Sequence, residues 1–170
     1  MWSWDLKDDK LLNEDLGFTK CGDINTGNRP FIDTSASAYY IDLPYGYISL
    51  KDTANHKLYD GNCLGAEAPL WTEYVSDMKK ADKMTYPRLG ALAETVWHGD
   101  TDYDSFNSAL DYYYSYLDKN GIGYSEPQIA NPNKFRGFFQ NLWFERRRLT
   151  WEGLTNIFDD IKVERLAKKQ

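Results

Sequence analysis

Trp71 and Glu73 stand two residues apart in the stretch GAEAPLWTEYV (65–75), and Tyr40 and Asp42 repeat that spacing in YYID (39–42). On an extended segment, positions i and i+2 point to the same side, so each pair would present a ring and a carboxylate together. That combination suits a sugar. An aromatic ring can cover the apolar C–H face of a pyranose, while a carboxylate accepts charge-assisted hydrogen bonds from its hydroxyls. Glu67, in the same stretch, reads differently: as a structural carboxylate that accepts backbone N–H bonds or pairs with an arginine such as Arg88. No lysine offsets these acids before Lys79.

Other chemistries find little footing. His56 and His98 lie apart from any Ser or Cys nucleophile motif, and His98 fits a helix end, where a cation meets the dipole favourably. There is no Gly-rich phosphate loop. Cys21 and Cys63 show neither CxxC nor Cys/His spacing, so they outline no metal site and no disulfide framework; no cofactor is implied. A net charge of -6 and a pI near 4.9 deprive the chain of the electrostatic term that dominates nucleic-acid binding. The run Arg146-Arg147-Arg148 reads as a solvated helix face. No apolar run approaches the roughly 20 residues of a membrane span. The opening MWSWDLKDDK lacks the pattern of a signal peptide, and the sequence assigns no compartment.

The elements that must hold the two pairs are short strands followed by helices. Trp2 and Trp4 alternate with polar residues as in a half-buried strand. Residues 5–30 read as a long irregular loop. Phe31–Thr34 and Cys63–Glu67 read as strands, Ala38–Leu43 as extended or loop, and SLKDTANHKLYDGN as a polar connection. Pro87 suits the first turn of a helix in which Leu89, Leu92, Ala93, Val96 and Trp97 form one buried face. Phe106–Leu117 is a second helix, stopped by Asn120-Gly121. Phe135, Phe138, Phe139, Leu142 and Trp143 make an aromatic stripe on a third, and Leu154, Ile157, Phe158 and Ile161 the stripe of a fourth. Two or three short strands cannot cover their own edges.

Three blocks, YYIDLPYGYISL, LGAEAPLWTEYV and YPRLGALAETVW, resemble in order and spacing the last third of the catalytic barrel of glycoside hydrolase family 20, the β-N-acetylhexosaminidases. They span roughly Phe31 to Trp97, and the segment Phe106–Tyr124 is similar to the family's closing helix. The resemblance implies the C-terminal portion of a TIM (β/α)8 barrel, its last two or three strands, over residues 1–126, followed by a helical C-terminal extension over 127–170. It implies removal of terminal N-acetylglucosamine or N-acetylgalactosamine by a substrate-assisted retaining mechanism, in which the acetamido oxygen attacks the anomeric carbon. On that basis Tyr40 would hold the acetamido oxygen, Trp71 would line the pocket around the acetamido methyl, and Asp42 and Glu73 would bind the outer hydroxyls.

The family's adjacent Asp-Glu catalytic pair, in a context such as GGDE, lies upstream of the YID block. Here only Asp8-Asp9 and Glu14-Asp15 precede that block, neither in such a context. A whole barrel takes about 250 residues, so the expectation is a chain that begins inside the barrel and is inactive alone. Its partners would be an N-acetylhexosamine glycan and the rest of the barrel. Two other readings stand beside this one: a non-catalytic carbohydrate-binding or interaction module, and a self-sufficient glycosidase using Asp42 and Glu73 as its own carboxylate pair.

Overall fold

The computed structural model describes residues 2–3, 30–73, 75–99 and 102–148. Three parallel strands run in chain order: β1 (Trp2–Ser3), β2 (Phe31–Asp33) and β3 (Cys63–Ala66). Trp2 pairs with Ile32, and Phe31 with Cys63. Between Phe31 and Asp33 the register with β3 slips, so Asp33 meets Ala66. Gly65, at φ 149, lies within this irregularity, where a residue without Cβ relieves the kink of a bulge. Trp4, the expected loop over 5–30 up to Arg29, and the stripe Leu154–Ile161 lie outside the described residues.

The crossover from β2 to β3 carries two short helices. Ala36–Tyr39 (α1) occupies part of the segment expected to be extended, and turns follow it through Tyr47. The polar connection contains Leu50–Ala54 (α2), held by a reciprocal cap: Ser49 Oγ accepts from Asp52 N, and the Asp52 carboxylate accepts from Ser49 N. Ser-x-x-Asp there approximates a capping box, and the legible signal was this spacing. Thr53 Oγ1 donates to Ala38 O at 2.8 Å, tying α2 to α1.

Beyond β3 the chain is helical: α3 (Met78–Thr85), α4 (Arg88–His98), α5 (Tyr103–Lys119), α6 (Pro127–Ala130) and α7 (Lys134–Arg148). Pro87 is the residue before α4 rather than its first turn. The buried face of α4 also differs from the expected one. It comprises Arg88, Ala91, Leu92 and Thr95, whereas Leu89, Val96 and Trp97 are exposed. The period is the same but the face is rotated, because two polar residues on it satisfy themselves: Thr95 Oγ1 donates to Ala91 O, and Arg88 finds carbonyls. Gly90 is where α5 comes closest, since a Cβ there would lie 2.4 Å from the Tyr113 ring.

The main core joins Tyr45, Leu50, Ala54 and Ala91 to Phe106, Leu110, Tyr114 and Leu117 of α5. A smaller cluster of Ala38, Tyr39 and Leu92 backs the strand ends. Asn120 and Gly121 (φ 65) close α5. The α7 stripe is exposed, with Phe135 the most open of the five residues.

Asp77 and Asp102 cap α3 and α5, accepting from Lys80 N and Ser105 N. These backbone donors hold both carboxyls below their ordinary range. A group whose folded value is depressed contributes above its unfolded value and loses that contribution as pH falls through the folded one. Asp102→Asn keeps an acceptor at the cap without the titration. We therefore expect the variant to flatten the acid limb of a melting-temperature profile, and an unchanged limb would remove Asp102 from the account.

Candidate functional site

The two aromatic-x-carboxylate segments follow the C-terminal ends of neighbouring parallel strands, β2 and β3. In an α/β sheet this is the edge where loops gather to bind ligands. What brings the segments together is a chain of backbone contacts anchored on α4.

Arg88 begins it. Its guanidinium is completely buried and makes five hydrogen bonds to four carbonyls. Nε donates to Met84 O at 3.1 Å, Nη1 to Leu43 O and Ile48 O at 3.0 and 3.2 Å, and Nη2 to Ile41 O and Met84 O, both at 2.7 Å. The cation also lies 4.2 Å from the centroid of the Tyr45 ring, a favourable stacking position. Burial lowers its pKa, opposed by Tyr45 and Asp42. Tyr45 in turn donates to Tyr86 O at 2.9 Å, with Lys83 O as a second acceptor at 3.1 Å. The expected pairing of Arg88 with Glu67 is replaced by these carbonyls: Glu67 is exposed, and its backbone N–H donates to Asp33 O at 2.9 Å. A guanidinium offers five donors in a rigid fork, which here serves an irregular loop as a strand would serve its neighbour.

Asp42 sits between the two carbonyls, Ile41 O and Leu43 O, that Arg88 holds. It is 1% exposed. One carboxylate oxygen accepts from Trp71 N and the other from Thr72 N, the latter at 3.0 Å. Ile41 N adds a bond to Pro69 O at 3.3 Å. Trp71 and Glu73 are both exposed, and Tyr40 is half-buried. The extended geometry expected for Trp71-Thr72-Glu73 does not occur: Thr72 has φ 63, the left-handed region. Its Oγ1 donates to Trp71 O at 2.6 Å, and Val75 N donates to Thr72 O. A short polar side chain that bonds locally is one that tolerates this conformation.

Asp42 also borders a cavity of about 460 Å³ between its loop, α3 and α7, whose walls include Met84, Ile129, Phe139 and Trp143. On the other side of the loop, Gly46 meets α7. Asn141 Nδ2 donates to Gly46 O at 3.1 Å, and Tyr47 Oη donates to Glu145 at 2.7 Å. A residue missed in the sequence is Asp33. Fully buried at the end of β2, it lies 2.9 Å from His56 Nε2 and accepts from Ser35 N. His98 closes α4 and lies 3.0 Å from Glu94. Cys63 is a free thiol whose S–H donates to Gly65 O.

With this geometry in view, the comparisons with known proteins are informative. The family model described as glycosyl hydrolase family 20, catalytic domain, matches residues 20–100, which include both aromatic-x-carboxylate segments and Arg88. Over these residues the chain is similar to the catalytic domain of glycosyl hydrolase family 20. The β-N-acetylhexosaminidase of Cellulomonas fimi is 28% identical over 65% of this chain and 28% of its own length. The β-hexosaminidase of Porphyromonas gingivalis is 39% identical over 41% of this chain and 9% of its own. Among solved structures, the family 20 enzyme of Streptomyces coelicolor A3(2) superposes with a TM-score of 0.59 at 25% identity, covering 75% of this chain and 29% of that one. The Streptomyces plicatus enzyme gives 0.60 at 24% identity, a likeness of fold. The chain thus spans less than a third of the length of each of these proteins.

Proposed function

We propose that this chain supplies the sugar-binding wall of a β-N-acetylhexosaminidase. Its fold would be the last strands of a TIM (β/α)8 barrel over residues 1–126, with a helical extension over 127–170. The observation that carries the reading is the bond of Asp42 to the backbone of Trp71 and Thr72. It joins the two aromatic-carboxylate segments at the C-terminal strand ends, where a barrel places its active site. In support, the Streptomyces plicatus enzyme has been solved with GlcNAc as product.

In this reading Tyr40 accommodates the acetamido oxygen, so that it can act as the internal nucleophile. Trp71 encloses the acetamido methyl. Asp42 and Glu73 recognise the outer hydroxyls of a terminal N-acetylhexosamine. The proton for the leaving oxygen must come from an acid, and the 170 residues hold no Asp-Glu pair in a Gly-rich context. General acid-base work contributes about 10²–10⁴-fold. Positioning groups alone therefore leave the chain inactive, with the rest of the barrel as the partner that completes it.

The test is hydrolysis of a chromogenic β-N-acetylglucosaminide by the purified chain and by Glu73→Gln. No turnover is expected from either, together with measurable GlcNAc binding that weakens in the variant. Turnover that vanishes in Glu73→Gln would instead make Asp42 and Glu73 a self-sufficient pair. A second reading, a carbohydrate-binding module, is favoured by the docking of α7 against Gly46 and Tyr47. Tight GlcNAc binding by a cooperatively melting chain, undiminished by any further barrel segment, would select it.

A further inference from the structure

We infer that α7 is a membrane-surface helix, whose exposed aromatic face and flanking cations fit the headgroup layer of an anionic phospholipid bilayer. The inference goes beyond the sugar-wall reading and does not depend on it.

The helix has two faces with different fates. Gly137, Gln140, Asn141 and Phe144 recur at helical spacing and turn inward. Gly137 packs on Gly46, Gln140 Nε2 donates to Ile129 O at 3.2 Å, and Asn141 holds Gly46 O. The Phe144 ring stands edge-on to Tyr47 at 6.1 Å. The other face carries Phe135, Phe138, Phe139, Leu142 and Trp143, which are between 49% and 74% exposed. Its phenyl rings meet one another, Phe139 lying 4.8 Å from Phe135 and 5.6 Å from Phe138. Large apolar residues at i, i+3, i+4, i+7 and i+8 thus form one patch on the outside of the fold, which marks an interaction surface.

The charge placed with this patch identifies the partner. The chain has a net charge of -6, yet α7 holds Lys134, Arg136, Arg146, Arg147 and Arg148 against a single acid, Glu145. Phe, Leu and Trp on one face, with lysine and arginine around them, is the composition of a helix that lies in an interface plane. With 15 residues, α7 is too short to cross a bilayer. The acidic remainder of the chain does not forbid the approach, because charges more than about 10 Å from the surface are screened at ordinary ionic strength. Phe139 and Trp143 also wall the cavity beside α3, which Lys80 and Arg136 line as well. Acyl carbons find an apolar recess there, and a phosphate finds two cations. The rest of a barrel suits the face less well. The helix is seated on the loop that follows the central strand β2, whereas further strands would join the sheet at β1 or β3.

The test is flotation of the whole chain with phosphatidylcholine vesicles containing about 30% phosphatidylserine, beside vesicles of phosphatidylcholine alone. Binding to the mixed vesicles is expected to be about tenfold tighter or more, and to be released as salt rises to about 0.5 M. Equal binding to the neutral vesicles, or none to either, overturns the inference.

Two variants separate the ingredients. Phe138→Ser with Leu142→Ser removes apolar area and should weaken vesicle binding about tenfold. Arg136→Gln with Arg146→Gln keeps the apolar face and should remove most of the preference for phosphatidylserine. All four positions are exposed, so unchanged circular dichroism and melting temperature are expected, which separates a lost contact from a lost fold. A folded serine variant that binds like the parent overturns the inference. A dimer in sedimentation velocity that the serine variant dissolves, with no vesicle binding by the parent, would give the face to a second copy of the chain instead.

Discussion

Arg88→Met is expected to destabilise the chain by about 2–6 kcal/mol, because four carbonyls lose their donors, two of them on buried residues, Ile41 and Ile48, and each buried orphan costs about 1–3 kcal/mol. The carbonyls belong to Met84, Leu43, Ile48 and Ile41. An opposing effect exists: the variant no longer buries a cation, and burial is the largest influence on the Arg88 pKa. That relief is the smaller one, since the guanidinium is already solvated by five protein acceptor bonds and the Tyr45 ring. For a domain with a total stability of about 5–15 kcal/mol, such a loss removes a large share of the stability margin. Arg88→Lys should fall between, as three rotatable donors cannot reproduce a planar fork. Urea denaturation of the three proteins measures the order; a Met variant as stable as the parent would show that the loop carries its own conformation.

The second large effect is expected at Gly46. A Cβ there would lie 2.2 Å from Asn141 Oδ1 and 2.5 Å from Gly137 O. Asn141 can swing aside, but the carbonyl belongs to the α7 backbone and moves only with the helix. Gly46→Ala should therefore cost about 1–3 kcal/mol, as overpacking does, and displace α7. Because Asn141 and Tyr47 hold the same junction, limited proteolysis should cut between α6 and α7 faster in the variant. Gly99→Ala is the instructive companion. Its Cβ meets nothing within 4 Å, but φ is 80, so it pays only in backbone strain and leaves α7 seated. Equal proteolysis of Gly46→Ala and the parent would show that α7 adjusts without leaving the loop.

Much of this arrangement was legible in the residues. Alternation and turn punctuation placed β2 and β3, and the stop at Asn120-Gly121 placed the end of α5, because local sterics fix those features. The four candidate residues were chosen for ring and carboxylate chemistry, and the structure sets their segments side by side. The reason given for their grouping was nevertheless incorrect. An extended Trp71-Thr72-Glu73 was expected, and the left-handed Thr72 is invisible to period-two reasoning, because a contact from Asp42, 30 residues earlier, decides it. The face of α4 was misjudged for a related reason. Leu89, Val96 and Trp97 look like core by hydropathy, yet Arg88 and Thr95 take the interior by finding acceptors that no window of sequence displays. His56 was set aside for want of a nucleophile nearby, while its actual neighbour, Asp33, lay inside a strand and carried no motif.

The bonds made by Arg88 carry a consequence for engineering. All five go to main-chain oxygens, so the guanidinium recognises the path of the loop and is indifferent to the side chains along it. Leu43 can thus be exchanged, within the limits of volume, while the loop keeps its course, whereas Tyr47 holds α7 through Glu145 and Ile48 is buried in the core. That makes position 88 the one to hold constant when the loop around it is altered.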